Sequence, residues 1–308
     1  MNTAIRNSVI AIALLAIAPY VLYPVFVAKL LCFALFAAAF NLLLGYAGIL
    51  SFGHAAFLST GGYITGWAMM NLGVSTEIGI LMGTIAGGLL GAVYGKLAIK
   101  REGIYFAMVT LALAQLTFFV YLQSEFTGGE NGMQGIPRGK LFGIIDLTDN
   151  IAMYYTVAAI FLIGFAIIQR TVHSPFGQVL KAIRENEPRA ISLGYNVNNY
   201  KWLAFIISSA LAALAGSTKT VVFNLASLTD AHWHMSGEVI LMTLVGGVGT
   251  LMGPVVGAGV IVTMQNYLST GDLGNYIHII MGAVFVVCVL AFRSGIVGQL
   301  QKFKQRNF

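Results

Sequence analysis

The sequence predicts an all-α polytopic membrane protein with about ten membrane-crossing helices, some of them short or discontinuous, and a long cytoplasmic loop with short helices of its own. Three observations predict it. Of the 308 residues, 58% are hydrophobic and only 9% charged, against about 25% charged in an ordinary soluble domain. The apolar residues fall in runs near the ~20 residues that cross a bilayer as a helix. The lysines and arginines collect in alternate connections between those runs, the bias that marks the cytoplasmic side.

The runs place spans at about 8–28, 30–48, 54–72, 78–98, 104–123, 151–169, 202–222, 237–252, 253–269 and 275–292. In the first, Ala16-Ile17-Ala18 resembles a signal-cleavage site, but Pro19 follows directly and the run continues to Ala28. That segment is expected to be retained. The eighth and ninth spans divide a stretch, 237–269, that is too long for one helix and is broken by Gly246-Gly247-Val248-Gly249 and Gly253-Pro254. It is either two short spans or one span with a re-entrant piece.

Charge tests this topology. With the N-terminus inside and ten crossings, Arg6, Lys96, Lys100, Arg101, Arg170, Lys181, Arg184, Arg189, Lys201, Arg293, Lys302, Lys304 and Arg306 are cytoplasmic. Lys29, Arg138, Lys140 and Lys219 fall at or near the outer face, and only Glu102, Glu185 and Glu187 of the acids are inside. Ten crossings return the C-terminus to the cytoplasm, whereas nine would leave Arg293 to Arg306 outside. The membrane therefore explains the basic excess, and nucleic acid is not needed to account for it. Cys32 and Cys288 lie within apolar runs and read as packing residues, with no disulfide expected. The chain reads as one transmembrane domain, 1–308.

The largest outer connection, about 124–150, is rich in glycine and holds Pro137. It is a mobile linker or, on a sharper reading, a docking or gating loop. Gly83, Gly87, Gly91 and Gly95 form a stripe of small residues on the fourth span, and Gly249, Gly253 and Gly257 repeat the spacing. Such stripes let helices approach closely or line a pathway. Two segments look discontinuous, Gly45 to His54 and Gly246 to Pro254. They are interhelical turns, or broken helices that turn backbone groups toward a solute path. Candidate path residues are Gly48, Ser51, His54, Gln115, Gly246, Gly247 and Gly249. For His54 and Gln115, pathway lining and interhelical hydrogen bonding weigh equally. Glu238 and Gln265 are further polar residues in or near spans.

The polar island from Arg170 to Lys201 is too long for a turn. Ser174-Pro175 is a helix start, with serine as the cap and proline at the first helical position. Phe176, Val179, Leu180 and Ile183 then make one apolar stripe, with Lys181 and Arg184 off it. Pro188 restarts the helix, Ala190, Ile191 and Leu193 give a second apolar surface, Gly194 terminates it, and Asn198 can cap the next span. Two short helices at a bend either lie flat in the headgroups or insert into a groove on a partner.

The island is similar to the cytoplasmic loop of ABC importer permeases, with its Glu-Ala-Ala then Gly pattern. GYAGILSFGHAAFLSTGGY (45–63), REGIYFAMVTLALAQ (101–115), TGGENGMQGIP (127–137), VLKAIRENEPRAISLGYNVNNYKWLAF (179–205) and SGEVILMTLVGGVGTLMGPVVGA (236–258) resemble the M-type permease of bacterial branched-chain amino acid importers, over about 40–300. One departure stands out. Pro188 occupies the position of the general pattern's glutamate, Glu187 lies one residue early, and only Ala190 and Gly194 keep their spacing. The resemblance implies a permease subunit of the bacterial inner membrane, with both termini cytoplasmic. It implies a second, related permease, two cytoplasmic ATPases that hydrolyse the ATP, and a periplasmic binding protein that delivers Leu, Ile or Val. It implies that Ser174, Pro175, Phe176, Val179, Leu180, Ile183, Arg184, Glu187, Ala190 and Gly194 form the coupling loop seated in the ATPase groove.

No ATPase or cofactor apparatus is expected in the chain itself. Around Gly95-Lys96, Leu90 stands where a phosphate loop needs its first glycine and Leu97 where it needs Ser or Thr. His54, His173, His232, His234 and His278 show no metal-ligand spacing; His232-Trp233-His234 beside Asp230 reads as an aromatic-polar turn. The alternatives are a related importer for urea or short amides, a stand-alone secondary transporter, and a membrane-embedded enzyme. The second needs intramembrane carboxylates for ion coupling and the third convergent His, Asp or Glu residues, neither of which the spans supply.

Overall fold

The computed structural model describes residues 15, 17–269, 279–284, 286 and 295–299. Helix α1 (Pro24–Asn41), preceded by helical residues at 17–21, opens on a proline at a position where a missing N–H costs nothing. It continues as a π-turn, Leu42–Ala47, and stops at Gly48, which lies in the left-handed region at φ 73°. Next come α2 (His54–Asn71), α3 (Thr76–Ala98) and α4 (Gly103–Gln123). Beyond the long connection lie α5 (Asn150–His173), α6 (Pro175–Glu185), α7 (Glu187–Ser192), α8 (Val197–Phe223), α9 (Trp233–Gly246) and α10 (Gly253–Ser269). The expected spans from 30–48 to 253–269 each meet one helix, in order. Of the span expected at 8–28, residues 15 and 17–28 are described, helical over 17–21 and again from Pro24; the span expected at 275–292 lies mostly outside the described residues, as does Cys288.

Five helices among the described residues are long and apolar enough to cross a membrane: α1 with its π-turn, α3, α4, α5 and α8. The chain is thus a helical membrane protein. Some boundaries move from their expected places, the first among them. The first break was expected at Lys29, but Pro24 starts α1 and Lys29 lies within it. The apolar run is continuous there, so only the proline marks the start.

α8 is the central helix and packs on α1, α2 and α3. A Cβ added at Gly83 would strike Ser217, at Gly87 Ala213, and at Gly91 Ser209. The α3 stripe therefore lies against a matching row of small residues on α8, and its role is close packing. Gly257 sits equally close to the Met242 carbonyl, so α9 and α10 pack together as two helices. The stretch 237–269 is therefore two helices, neither of them among the five long and apolar enough to cross a membrane. At 14 residues α9 rises only about 21 Å, less than the ~30 Å hydrocarbon core.

The connection at 124–150 is a built structure, and the linker expectation is corrected. Strand β1 (Met133–Gln134) pairs antiparallel with β4 (Leu225–Ala226) beyond α8, and β2 (Lys140–Leu141) with β3 (Ile145–Asp146) as a hairpin. Ile136 and Leu147 are fully buried. Arg138 donates to Asn224 Oδ1 at 2.8 Å, Asn150 Oδ1 at 3.1 Å and the Val222 carbonyl at 2.5 Å, while its own carbonyl accepts from Thr76 Oγ1 at 2.7 Å. One side chain thus ties α8 and α5 together, and its backbone adds α3. Thr148 donates its N–H and hydroxyl to Asp146 Oδ1 at 2.9 and 2.7 Å, which holds that carboxyl below the usual range. At the same end Lys219 pairs with Asp230.

Candidate functional site

The site is assembled at the end of the bundle opposite the loop, where α5 turns into α6. Ser174 caps α6 by accepting from the Gly177 N–H at 3.3 Å, and Pro175 follows at the first helical position, as expected. Leu180 is fully buried in the main core and Phe176 stacks on Tyr200, ring centroids 5.6 Å apart. Ile183 turns the other way, into a small separate cluster with Ala190 and Val197, against which Val179 packs. These side chains seat α6 and α7 on their own chain. Asn186 caps α7 by accepting from the Arg189 N–H at 3.0 Å, and Glu187 pairs with Lys201 of α8 at 2.7 Å.

The second apolar surface divides. Ala190 is buried, whereas Ile191 is 58% and Leu193 68% exposed. Gly194 adopts φ 86° and ends the pair of helices. The expected cap at Asn198 is corrected to Asn196, which accepts from the Asn199 N–H at 3.3 Å. Burial of Val197 as the first residue of α8 fixes the earlier start.

From this seat α6 grips the end of α1. Arg184 donates to the Gly45 carbonyl, within the π-turn. One turn earlier Lys181 lies 5.7 Å above the ring of Tyr46. The C-terminal end of a helix carries partial negative charge on its free carbonyls, so a cation placed there is favoured. Gly48 packs so closely on Arg184 that a Cβ would come within 2.9 Å of the arginine Cγ. Arg184 also touches the second break: a Cβ at Gly249 would lie 3.1 Å from its Nη1.

The two breaks meet each other as well. Asn41, buried near the end of α1, donates to the Thr250 carbonyl at 2.9 Å and accepts from the Gly249 N–H at 3.0 Å. Gly247, at φ 124°, ends α9, and a Cβ at Gly295 would strike it. The structure therefore joins Gly45, Gly48, Gly249 and Arg184 in one junction, with Gly246 packed against Gly253 just behind it.

The link between α1 and α2 runs deep into the bundle, and hydroxyls satisfy its freed N–H groups. The Phe52 N–H donates to Thr110 Oγ1 at 3.1 Å, Gly53 to Ser51 Oγ at 3.1 Å, and Ala55 to Ser236 Oγ at 2.9 Å. Thr110 is about 10 Å along α4 from Gly103. Irregular backbone at that depth persists only where protein groups replace water. His54 starts α2 fully buried, its Nε2 2.9 Å from Ser208 Oγ and its ring set edge-on to Phe40, Phe57 and Phe205. Of its two expected roles, interhelical hydrogen bonding is the one this geometry displays. Gln115 is half-buried further along α4.

Between the link and α6 opens a pocket of about 620 Å³. Its walls include Gly48 and Phe52 from the link, Arg101 and Glu102 from the α3–α4 turn, and Ile183, Arg184 and Glu187 from α6 and α7. Charged residues border an apolar floor of Ile49, Ile99 and Phe106.

Sequence reading missed Asn41, Thr110, Ser208 and Ser236. Asn41 alone carried a signal, an amide in an otherwise apolar run; the hydroxyls are too common in spans to stand out.

The family described as "Branched-chain amino acid transport system / permease component" matches residues 25–289. The chain is 27% identical over 279 residues to the high-affinity branched-chain amino acid transport system permease protein LivM of Escherichia coli, covering 81% of this chain and 64% of that one. It thus spans under two thirds of that relative's length. It is 24% identical over 290 residues to the permease protein LivH of the same organism, 87% of this chain and 91% of that one. Against the ribose import permease protein RbsC of Haemophilus influenzae it is 27% identical over 223 residues, 69% and 66% of the two chains. No solved structure matches it.

Proposed function

The chain belongs to the family of branched-chain amino acid transport system permease components, and from that premise we propose that it is the membrane subunit through which an ABC importer moves Leu, Ile or Val into the cell. A second, homologous permease completes the path, two cytoplasmic ATPases bind at the α6–α7 end, and a periplasmic binding protein docks at the loop end. Similarity to both LivM and LivH supports pairing of two related permeases. ATP is bound and hydrolysed by the partners, and this chain holds no cofactor.

One observation carries the mechanism: Arg184 of α6 touches both breaks in the bundle. In the proposed cycle, ATPase closure displaces α6 and α7 through the exposed Ile191 and Leu193 together with Gly194. Because Phe176, Val179, Ile183, Ala190 and the Glu187–Lys201 pair bind those helices to α8, and Leu180 is buried in the main core, the unit moves as a body. Arg184 transmits the displacement to Gly45 and Gly249, and the broken segments open the path past Gly48 and Ser51, with Gly246, Gly247 and Gln115 as further path residues. Rigid seating with a bistable contact is what converts a push into a conformational change.

The test is a pull-down from native membranes followed by uptake into proteoliposomes. Recovery of an ATPase pair and a second permease, with leucine uptake that requires ATP, is the expected result. Uptake by this chain alone would replace the proposal with a secondary transporter. The ribose relative leaves the solute open within the fold, so urea, a short amide and ribose are run as competitors.

A further inference from the structure

The pocket at the α6–α7 end of the bundle lies directly beneath the first break. Its roof is the α1–α2 link, from Gly48 to Phe52, and its mouth is the turn between α3 and α4. At about 620 Å³ it falls within the roughly 300–1,000 Å³ of small-molecule sites. The buried side chains of Ile49, Ile99 and Phe106 give it an apolar floor. Five charged side chains line it, and three of them are engaged: Lys201 pairs with Glu187 at 2.7 Å, and Arg184 donates to the Gly45 carbonyl. Arg101 and Glu102 are not. Both are exposed at the mouth, and neither has an ion-pair or side-chain hydrogen-bond partner among the described residues. Glu102 stands at the N-cap of α4, yet its carboxylate does not cap the helix.

A free cation and a free anion on adjacent residues, beside one apolar floor, match the two ends of an α-amino acid, whose ammonium and carboxylate flank a single carbon. A dianion such as phosphate would meet Glu102 with like charge, and a sugar would answer neither charge. We propose that this pocket holds an α-amino acid with an aliphatic side chain, its carboxylate on Arg101, its ammonium on Glu102 and its side chain on Ile49, Ile99 and Phe106. The site rests on the importer reading and extends it: solute that has passed the link is met here on the inner side. Gly48 and Arg184 are walls of this pocket and also members of the junction between the two breaks. An occupant therefore holds the junction in its present arrangement, and amino acid accumulated inside the cell slows its own import.

The complex is purified with its partner subunits but without a periplasmic binding protein, and binding of labelled leucine is measured by equilibrium dialysis in the absence of ATP. We expect leucine to bind. Isoamylamine, which lacks the carboxylate, and isocaproate, which lacks the ammonium, should each compete about tenfold less well, the effect of one charge-assisted hydrogen bond. Arg101→Gln should erase the preference for leucine over isoamylamine and keep that over isocaproate, and Glu102→Gln should do the reverse. A general loss of folding does not produce that split. Ala107→Phe, which narrows the pocket from α4 and leaves every charge in place, should remove binding. In proteoliposomes loaded inside with leucine, wild-type uptake should slow several-fold relative to empty vesicles. A complex that imports leucine but binds none of it in dialysis overturns the site and leaves the transport reading standing. A complex that imports a different solute and binds no leucine overturns both. Unchanged discrimination in Arg101→Gln and Glu102→Gln, or undiminished binding in Ala107→Phe, puts the leucine elsewhere and refutes the site.

Discussion

Arg184 donates to the carbonyl of Gly45, a residue 139 positions away in the chain. The contact joins a short helix outside the bundle to the π-turn that ends α1, and the same guanidinium lies against Gly249 at the second break. A hydrogen bond from a charged donor contributes about 1.5–3 kcal/mol. That is small against the packing that seats α6, yet enough to bias two arrangements of the π-turn. If the proposed function holds, Arg184→Ala is expected to leave the purified complex intact, keep basal ATP hydrolysis, and lose most solute-dependent stimulation and uptake. Arg184→Lys, which keeps the charge without the guanidinium fork, should retain part of the uptake. Parallel ATPase and uptake assays check both variants; wild-type coupling in Arg184→Ala would show that the contact is incidental.

Asn41 uses donor and acceptor together, on the Thr250 carbonyl and the Gly249 N–H. Asn41→Leu keeps the side chain's approximate bulk and leaves both groups unpaired in the interior. Each orphaned group costs about 1–3 kcal/mol, so thermal unfolding in detergent should fall clearly below wild type. Asn41→Ser, too short to span both contacts, should fall between. A melting curve for Asn41→Leu that overlays the wild type would mean that water or a shifted turn satisfies those groups.

The breaks at 45–54 and 246–254 were legible because glycine and proline interrupt apolar runs. The start of α6 was legible because a capping serine precedes a proline. Most helix limits followed from the same local chemistry: α2 was expected over 54–72 and ends at Asn71. What the sequence did not show was that the two breaks meet, or that Arg184 reaches both. Those contacts join residues far apart in the chain, and no periodicity encodes them. The 124–150 loop was misread for a related reason. Its strands are two residues long, too short to show alternation, and its order comes from Arg138 and from pairing with a segment beyond α8.

The α3–α8 interface predicts a pair of compensating substitutions. Gly91 lies so close to Ser209 that a Cβ cannot enter without displacing that hydroxyl. Gly91→Val should cost on the order of 1–3 kcal/mol through overpacking and lower the yield of folded protein. Gly91→Ala combined with Ser209→Gly should regain most of that yield, because the added methyl takes the place the hydroxyl leaves. Size-exclusion profiles from fluorescent fusions provide the measurement. A Gly91→Val protein that expresses and elutes as wild type would mean that α3 can step away from α8, against the close-packing role of the stripe.

Arg138 predicts how the loop end responds to a single cut in its network. Its guanidinium reaches α5 through Asn150 and the end of α8 through Val222 and Asn224, which itself sits in the left-handed region at φ 54°. Removing it leaves the Val222 carbonyl and two amide oxygens without this donor while the β1–β4 pairing remains. Arg138→Ala should therefore loosen the loop without unfolding the bundle. Limited proteolysis is expected to cut within 124–150 several-fold faster, since cleavage follows the population of locally opened states. Helical circular dichroism should stay at the wild-type level. Arg138→Lys keeps one donor group on a flexible stem but cannot serve three acceptors in one plane, so it should protect the loop only in part. If Arg138→Ala is cut at the wild-type rate, the buried Ile136 and Leu147 hold the loop unaided, and the guanidinium network is secondary to their burial.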